Sequence, residues 1–292
     1  MSAVLAYSNT SEGETFGLQR KTLAHAFNRA AAGLKPQQPH ADGQTLIAEA
    51  YIAQETLKQV GEALTSLLKY SEFEIGPEKD LVRAMDKVAQ KGTDLSENCD
   101  FSRARHFTSV EQMKTMIDLF GQRGPVSLAH EDRELNVHIL DVDNTFTTPN
   151  PKKPGLCNLD VKLLVPFTLE DGTETYHVCE LQFILKDMRK GWDKSHDAFK
   201  ESRSHAKRAE FLENAMEMLG TNSGTSFRRL EAEHSKTVEK LNAAEDRRRE
   251  DNIRNAKKAG AYKLAGYQPC KNGASENLAS AQPKDYIKLV PA

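Results

Sequence analysis

Lys79, Arg83 and Lys87 recur at four-residue steps in GPEKDLVRAMDKV, a spacing that lines side chains up along one side of a helix. Like charges so placed repel one another, and an anion bound between them offsets the repulsion; a polyphosphate matches the length and the charge. The plainer alternative is a solvated basic face balanced by Glu78, Asp80 and Asp86. Two acids are singled out by context. Asp100 opens the alternating segment DFSRAR, which carries Arg103 and Arg105, and Glu180 lies inside the apolar run HVCELQFIL. Alternation sets Glu180, Gln182 and Ile184 on one face of that run and Cys179, Leu181 and Phe183 on the other. A carboxylate and an amide sharing a face with few apolar neighbours suit a polar site, the rival being an ordinary half-exposed sheet face. Cations for phosphates and carboxylates for a metal or a proton are the equipment of phosphoryl transfer.

The elements that must hold these residues are legible from periodicity. Ala50, Ala53, Leu57, Val60, Leu64 and Leu67 alternate steps of three and four, which predicts a helix over Thr45 to Leu68. The polar, Pro-rich connector KPQQPHADG separates it from an earlier helical pattern, Phe16 to Leu34. Gly76 and Pro77 then start the helix that bears the cations, running to about Gln90. DFSRARHFTS followed by SVEQMKTMIDLF reads as strand, cap, helix. Further strands are expected at Leu135 to Val142, Leu159 to Phe167 and Tyr176 to Leu185, the last two joined as a hairpin through Asp171-Gly172. Helical patterns return from Leu185 to Leu219 and from Phe227 to Ala259. The second is so rich in charges of both signs that a solvated helix, or one lying on a partner protein or a second copy, is expected. Arg247-Arg248-Arg249 is flanked by Glu245, Asp246, Glu250 and Asp251, so a nucleic-acid patch is disfavoured. The predicted organisation is an N-terminal helical region over 1–75, a central domain over 76–205, a helical extension over 206–259 and a poorly ordered tail over 260–292. Removal of everything after Gly224 is expected to leave nucleotide binding nearly intact.

Composition bounds the function class. The chain has 292 residues, 38% hydrophobic and 28% charged, with a net charge of -2 and a mean hydropathy of -0.61. It is long enough for a core without disulfides and is not a generic polycation. Its apolar runs, such as Val161 to Phe167, fall far short of the roughly 18 residues that span a bilayer, so no membrane partner is expected. Cys99, Cys157, Cys179 and Cys270 include no CxxC pair and read as reduced thiols. The start MSAVLAYSNTSEGETF lacks the basic region and apolar core of an export signal, so the cytoplasm is the expected location, although export as an effector by a specialised machine would leave no such mark.

Two resemblances are present. VHILDVDNTF is similar to the strand and DxDxT motif of haloacid-dehalogenase-type phosphatases, which would make Asp141 a nucleophile and Asp143 a general acid. The broader one covers about 76–203. There the order and spacing of motifs resemble the synthetase domain of the RelA/SpoT-like nucleotidyltransferases, which move pyrophosphate from ATP to a nucleotide 3′-hydroxyl. Lys79, Arg83 and Lys87 match the family's basic ATP-binding helix, and Asp100 with Arg105 its DxxxxR strand. Glu180-Leu181-Gln182 matches its ExQ strand, and His196-Asp197-Ala198-Phe199-Lys200 its HxxYK.

The resemblance implies an α/β (α+β) fold with a mixed central β-sheet flanked by helices, an N-terminal helical layer and a C-terminal helical extension. It implies that Lys79, Arg83, Lys87 and Arg105 bind ATP, that Asp100 and Glu180 are catalytic and bind Mg2+, and that Asn158, Gln182 and His196 meet a nucleotide or RNA acceptor. The family's GYRSLH segment is replaced here by Gly155, Leu156, Cys157 and Asn158, so the aromatic face that stacks on the acceptor base is missing. Pro77 also stands where the family has a further Arg. A catalytically inactive or regulatory nucleotide-binding module of the same fold is therefore the second reading.

Overall fold

A computed structural model of the chain describes residues 26, 29–30, 32–77, 81–82, 84–85, 88, 93–121, 123–150, 155–169, 172, 174–219, 224–265, 267 and 287–289. The fold is α+β, built on a seven-stranded mixed sheet. Its strands are β1 (Glu72–Ile75), β2 (Arg103–Thr108), β3 (Gly124–His130), β4 (Arg133–Asn144), β5 (Asn158–Thr168), β6 (Glu174–Leu185) and β7 (Ile287–Leu289), in the order β1-β2-β6-β5-β4-β3-β7. β5 and β6 form the expected antiparallel hairpin, with Leu159 opposite Phe183 and Phe167 opposite Thr175. β2 pairs with β6 in parallel. The short strands β1, β3 and β7 lack sustained alternation, and the sequence pattern did not mark them.

Helix α1 (Gly43–Leu67) starts where Asp42 accepts a hydrogen bond from the Thr45 amide at 2.7 Å, and it buries Ala53, Leu57, Val60 and Leu64 on one face of the sheet. Helix α2 (Val110–Phe120) opens with a capping box between Ser109 and Gln112 and adds Met113, Met116, Ile117 and Phe120 to the same core. Gln112 also donates to the Leu68 and Lys69 carbonyls, fastening the end of α1 to the start of α2. On the opposite face, Leu140, Leu164 and Val178 are covered by Ala26, Ala30 and Cys99. The middle of that face, between this cluster and the paired Phe107 and Ile184, carries charged and polar side chains. No helix among the described residues is long and apolar enough to cross a membrane.

His106 is fully buried on β2, its ring stacked on Phe183 at 6.0 Å and tilted against Phe73 at 5.8 Å. Burial pushes its pKa from 6.5 down to about 4, and His138 is pushed to about 4 by the same cause. The unfolded chain takes up protons below pH 6.5 that the folded chain refuses until about pH 4, so stability present above pH 6.5 is lost as the pH falls through this window. We expect His106→Leu to flatten the pH dependence of unfolding free energy between pH 6 and 4.5 by about 1 kcal/mol per pH unit. Urea titrations across that range measure it; an unchanged slope would contradict the buried neutral ring.

The C-terminal part departs from expectation. Helices α3 (Arg189–Leu219) and α4 (Gly224–Lys258) form a hairpin whose buried positions include Ser202, Ala209, Leu212, Thr237 and Ala244. Their pairing is antiparallel: Arg208 meets Glu233, and Arg247 donates to both Glu201 carboxylate oxygens at 2.8 and 2.9 Å. Arg248 lies over the Phe199 ring at 4.6 Å. One side of the charged helix thus lies on α3 of the same chain. Gly260, left-handed at φ 72°, ends α4 and lets the chain turn into a 3-10 turn over Ala261–Leu264. Leu264 is fully buried in the main core together with Ala259 and Ala261. The boundary expected at residue 260 therefore falls inside packed structure.

Candidate functional site

The sheet register gathers residues that are far apart in sequence. Parallel pairing of β2 with β6 sets Arg103 beside Glu180 and Arg105 beside Gln182. Antiparallel pairing of β6 with β5 sets Lys162 beside Glu180 and Asp160 beside Gln182, and pairing of β5 with β4 sets Asp141 beside Lys162 and Asp143 beside Asp160. Residues paired in register share a face, so Asp141, Lys162, Glu180 and Arg103 form one row and Asp143, Asp160, Gln182 and Arg105 the next. The acids of β4 reach this face through an irregularity. The register shifts between Ile139, which packs in the core, and Asp141; the extra residue, Leu140, turns Asp141 and Asp143 to the other side.

Five members of these rows, Asp141, Asp143, Asp160, Lys162 and Glu180, line a cleft of about 550 Å³ together with Lys35 and Asp100. Lys35 is held there because Gln38, three residues on, binds the exposed edge of β6. Pairing with β2 begins only at Glu180, and the Gln38 amide gives Val178 the partners a neighbouring strand would have supplied. It donates to the Val178 carbonyl at 2.8 Å and accepts from the Val178 N–H at 2.9 Å.

The centre of the site is an ion triad. Lys162 Nζ donates to Asp160 Oδ1 at 2.8 Å and to Glu180 Oε2, and Gln182 donates to the other Asp160 oxygen at 3.5 Å. Burial works against the Lys162 charge, but Asp160 and Glu180 outweigh it and hold the pKa above the ordinary lysine value. The Glu180 carboxyl is raised above the ordinary glutamate value, first by burial, then by Asp160, with Lys162 opposing and Asp100 adding to the rise. A buried carboxylate with a raised pKa is suited to accept a proton near neutral pH.

The expected site residues are distributed as follows. Asp100 stands in the turn before β2 and lines the cleft together with Glu180, while Arg105 and Gln182 are paired in register in the next row of the same sheet face. Asn158 is 4% exposed and turned to Thr145, whose hydroxyl donates to its side-chain oxygen at 3.0 Å. It closes the start of β5 and is not among the residues that line the cleft. His196 belongs to α3, but its side chain lies outside the described residues, as do Lys79, Arg83 and Lys87. Val88 lines the cleft. Gly155, at φ 77°, approaches α4 so closely that an added Cβ would lie 2.4 Å from the Ile253 nitrogen. Gly155, at one end of the segment expected to receive the acceptor, is thus backed by α4.

The phosphatase reading fails on topology. That motif ends a strand of a parallel sheet, whereas β4 is antiparallel to both β3 and β5. Asp141, its would-be nucleophile, is bound by Arg123 at 2.7 Å, and Arg123 also donates to the Ala30 carbonyl at 2.5 Å. This pair ties the N-terminal layer to the sheet.

Sequence reasoning missed Asp160, Lys162 and Arg103. Asp160 and Lys162 alternate with Leu159, Val161 and Leu163 in NLDVKLLV, the signal that marked Glu180 and Gln182 in the neighbouring strand. As for Mg2+, carboxylate oxygens have the right chemistry. As the side chains stand, Lys162 holds Glu180 Oε2, so an ion shared with Asp100 would have to use the other Glu180 oxygen. Among the described residues no group of three or more His, Cys, Asp and Glu side chains is arranged to hold a metal.

No family model and no curated protein matches the chain. Among solved structures it is similar to small alarmone synthetase 1 from Bacillus subtilis, at 12% identity and a TM-score of 0.37, over 70% of this chain and 93% of that one. It is also similar to that synthetase bound to AMPCPP, at 13% identity and a TM-score of 0.38, over 70% of this chain and 96% of that one.

Proposed function

We propose that this face transfers pyrophosphate from ATP to the 3′-hydroxyl of a nucleotide or RNA. The observation that carries the reading is the β2–β6 register, which sets Arg103 beside Glu180 and Arg105 beside Gln182, with Asp100 leading into β2. Cations and a raised-pKa acid then share one surface, as in-line attack on a phosphorus requires. In this reading Lys162, Arg103 and Arg105 hold phosphate oxygens, aided by Lys79, Arg83 and Lys87, and Mg2+ is expected with the donor triphosphate. Glu180 accepts the proton of the attacking hydroxyl. The hydroxyl oxygen bonds to the β-phosphorus, the bond from that phosphorus to the α,β-bridging oxygen breaks, and AMP leaves with the electron pair. His196 and Gln182 are proposed on the acceptor side.

The second reading, a nucleotide-binding module without turnover, is favoured by Leu156 and by the engagement of Asn158 with Thr145, since both weaken the acceptor half. Incubation of γ-labelled ATP with guanosine, adenosine and tRNA acceptors, resolved by thin-layer chromatography, separates the two. Label moving to an acceptor supports transfer. Bound ATP left intact with every acceptor supports the module.

A further inference from the structure

Lys162 is an unusual occupant of a site read as phosphoryl-transferring. It is strapped into β5 two residues from Asp160 and directly across from Glu180, so both carboxylates reach its ammonium without any loop movement. Its side chain is only 21% exposed, and Glu180 is 13% exposed. Left alone, Asp160 and Glu180 would be buried like charges, with Asp100 and Asp143 lining the same cleft, an arrangement that needs a cation. Two devices meet that need: a bound divalent ion, or a lysine. An ammonium hydrogen-bonded to Glu180 Oε2 excludes an ion from that oxygen by contact and by like-charge repulsion. An ammonium has three donors, of which Asp160 and Glu180 take two, and Lys162 lines the cleft.

We propose that Lys162 is the resident cation of this site, standing where a divalent ion would otherwise join Asp160 to Glu180 and offering its third N–H to an anionic oxygen of a phosphorylated ligand. The proposal rests on the reading that this face carries the chemistry, but its consequence is read in metal affinity and not in product. The wild-type chain binds Mn2+ weakly at this position. Lys162→Met removes the competing charge, leaves two carboxylates facing each other, and binds Mn2+ more tightly by about tenfold or more. Lys162→Arg keeps a cation between the acids and retains weak binding.

The test titrates wild type, Lys162→Met and Lys162→Arg with Mn2+, following free Mn2+ by electron paramagnetic resonance. A gain in Lys162→Met alone supports the proposal. Equal affinity in all three proteins, or a loss in Lys162→Met, overturns it. Should Lys162→Met not fold, crystals of the wild-type protein soaked in Mn2+ decide by anomalous scattering: a peak bridging Asp160 and Glu180 overturns the proposal, and its absence there supports it. A chain that transfers no pyrophosphate still gives a definite answer in both experiments, so failure of the functional reading and failure of this inference are distinguishable.

Discussion

Glu180→Gln is expected to lower pyrophosphate transfer by roughly 10² or more while leaving the fold and ATP binding nearly intact. Glutamine keeps the shape and an oxygen for Lys162, and Asp160 still pairs with that ammonium at 2.8 Å, so the triad loses a charge without collapsing. It cannot accept the hydroxyl proton. Burial, Asp160 and Asp100 raise the Glu180 carboxyl above the ordinary glutamate value, so the acid limb of the wild-type pH–rate profile lies above that value and disappears in the variant. Steady-state kinetics across pH, with circular dichroism as the folding control, measure both effects. Full activity in Glu180→Gln would end the case for Glu180 as the base, and the same result would favour an ordinary charged sheet face.

Truncation after residue 223 is expected to abolish cooperative folding, the reverse of what the charged sequence of α4 implies. The cut removes Ala244 and Thr237 from the contact with α3, exposing Ala209 and Leu212, and removes Ala259, Ala261 and Leu264 from the main core. Loss of the Leu264 side chain alone costs on the order of 2–5 kcal/mol, against a typical domain stability of about 5–15 kcal/mol. Urea unfolding decides the matter. A truncated chain with a sharp transition near the wild-type midpoint would contradict the packing described for α4, whereas Leu264→Ala in the full chain is expected to shift the midpoint in the same direction by a smaller amount.

The contrast between α1 and α4 shows what sequence pattern carries. α1 announces itself because Leu57, Val60 and Leu64 are large and apolar at helical spacing. α4 docks through Ala244 and small polar residues such as Thr237 and Asn252, which hydropathy does not distinguish from a solvated surface. The β5–β6 hairpin was legible because both strands alternate around a short turn. β1 and β3 were not, since β1 has only four residues and β3 is buried over its first five, which leaves little alternation to read. For the site, Glu180 and Gln182 stood out as polar residues in an apolar strand. Asp160 and Lys162 carry the same alternation in β5, but only the register shows that they face the same cleft. The Leu140 bulge, which brings Asp141 and Asp143 to that cleft, depends on two strands at once and has no signature in either.

The most direct measurement of the central claim is the fate of ATP phosphorus followed by 31P NMR in the presence of acceptor nucleotides or tRNA, with wild type and Glu180→Gln compared. Transfer at this face predicts AMP and a 3′-pyrophosphorylated acceptor appearing one for one with wild type, and neither with the variant. ATP persisting unchanged with every acceptor, or decaying to ADP and inorganic phosphate at the same rate in both proteins, would contradict it.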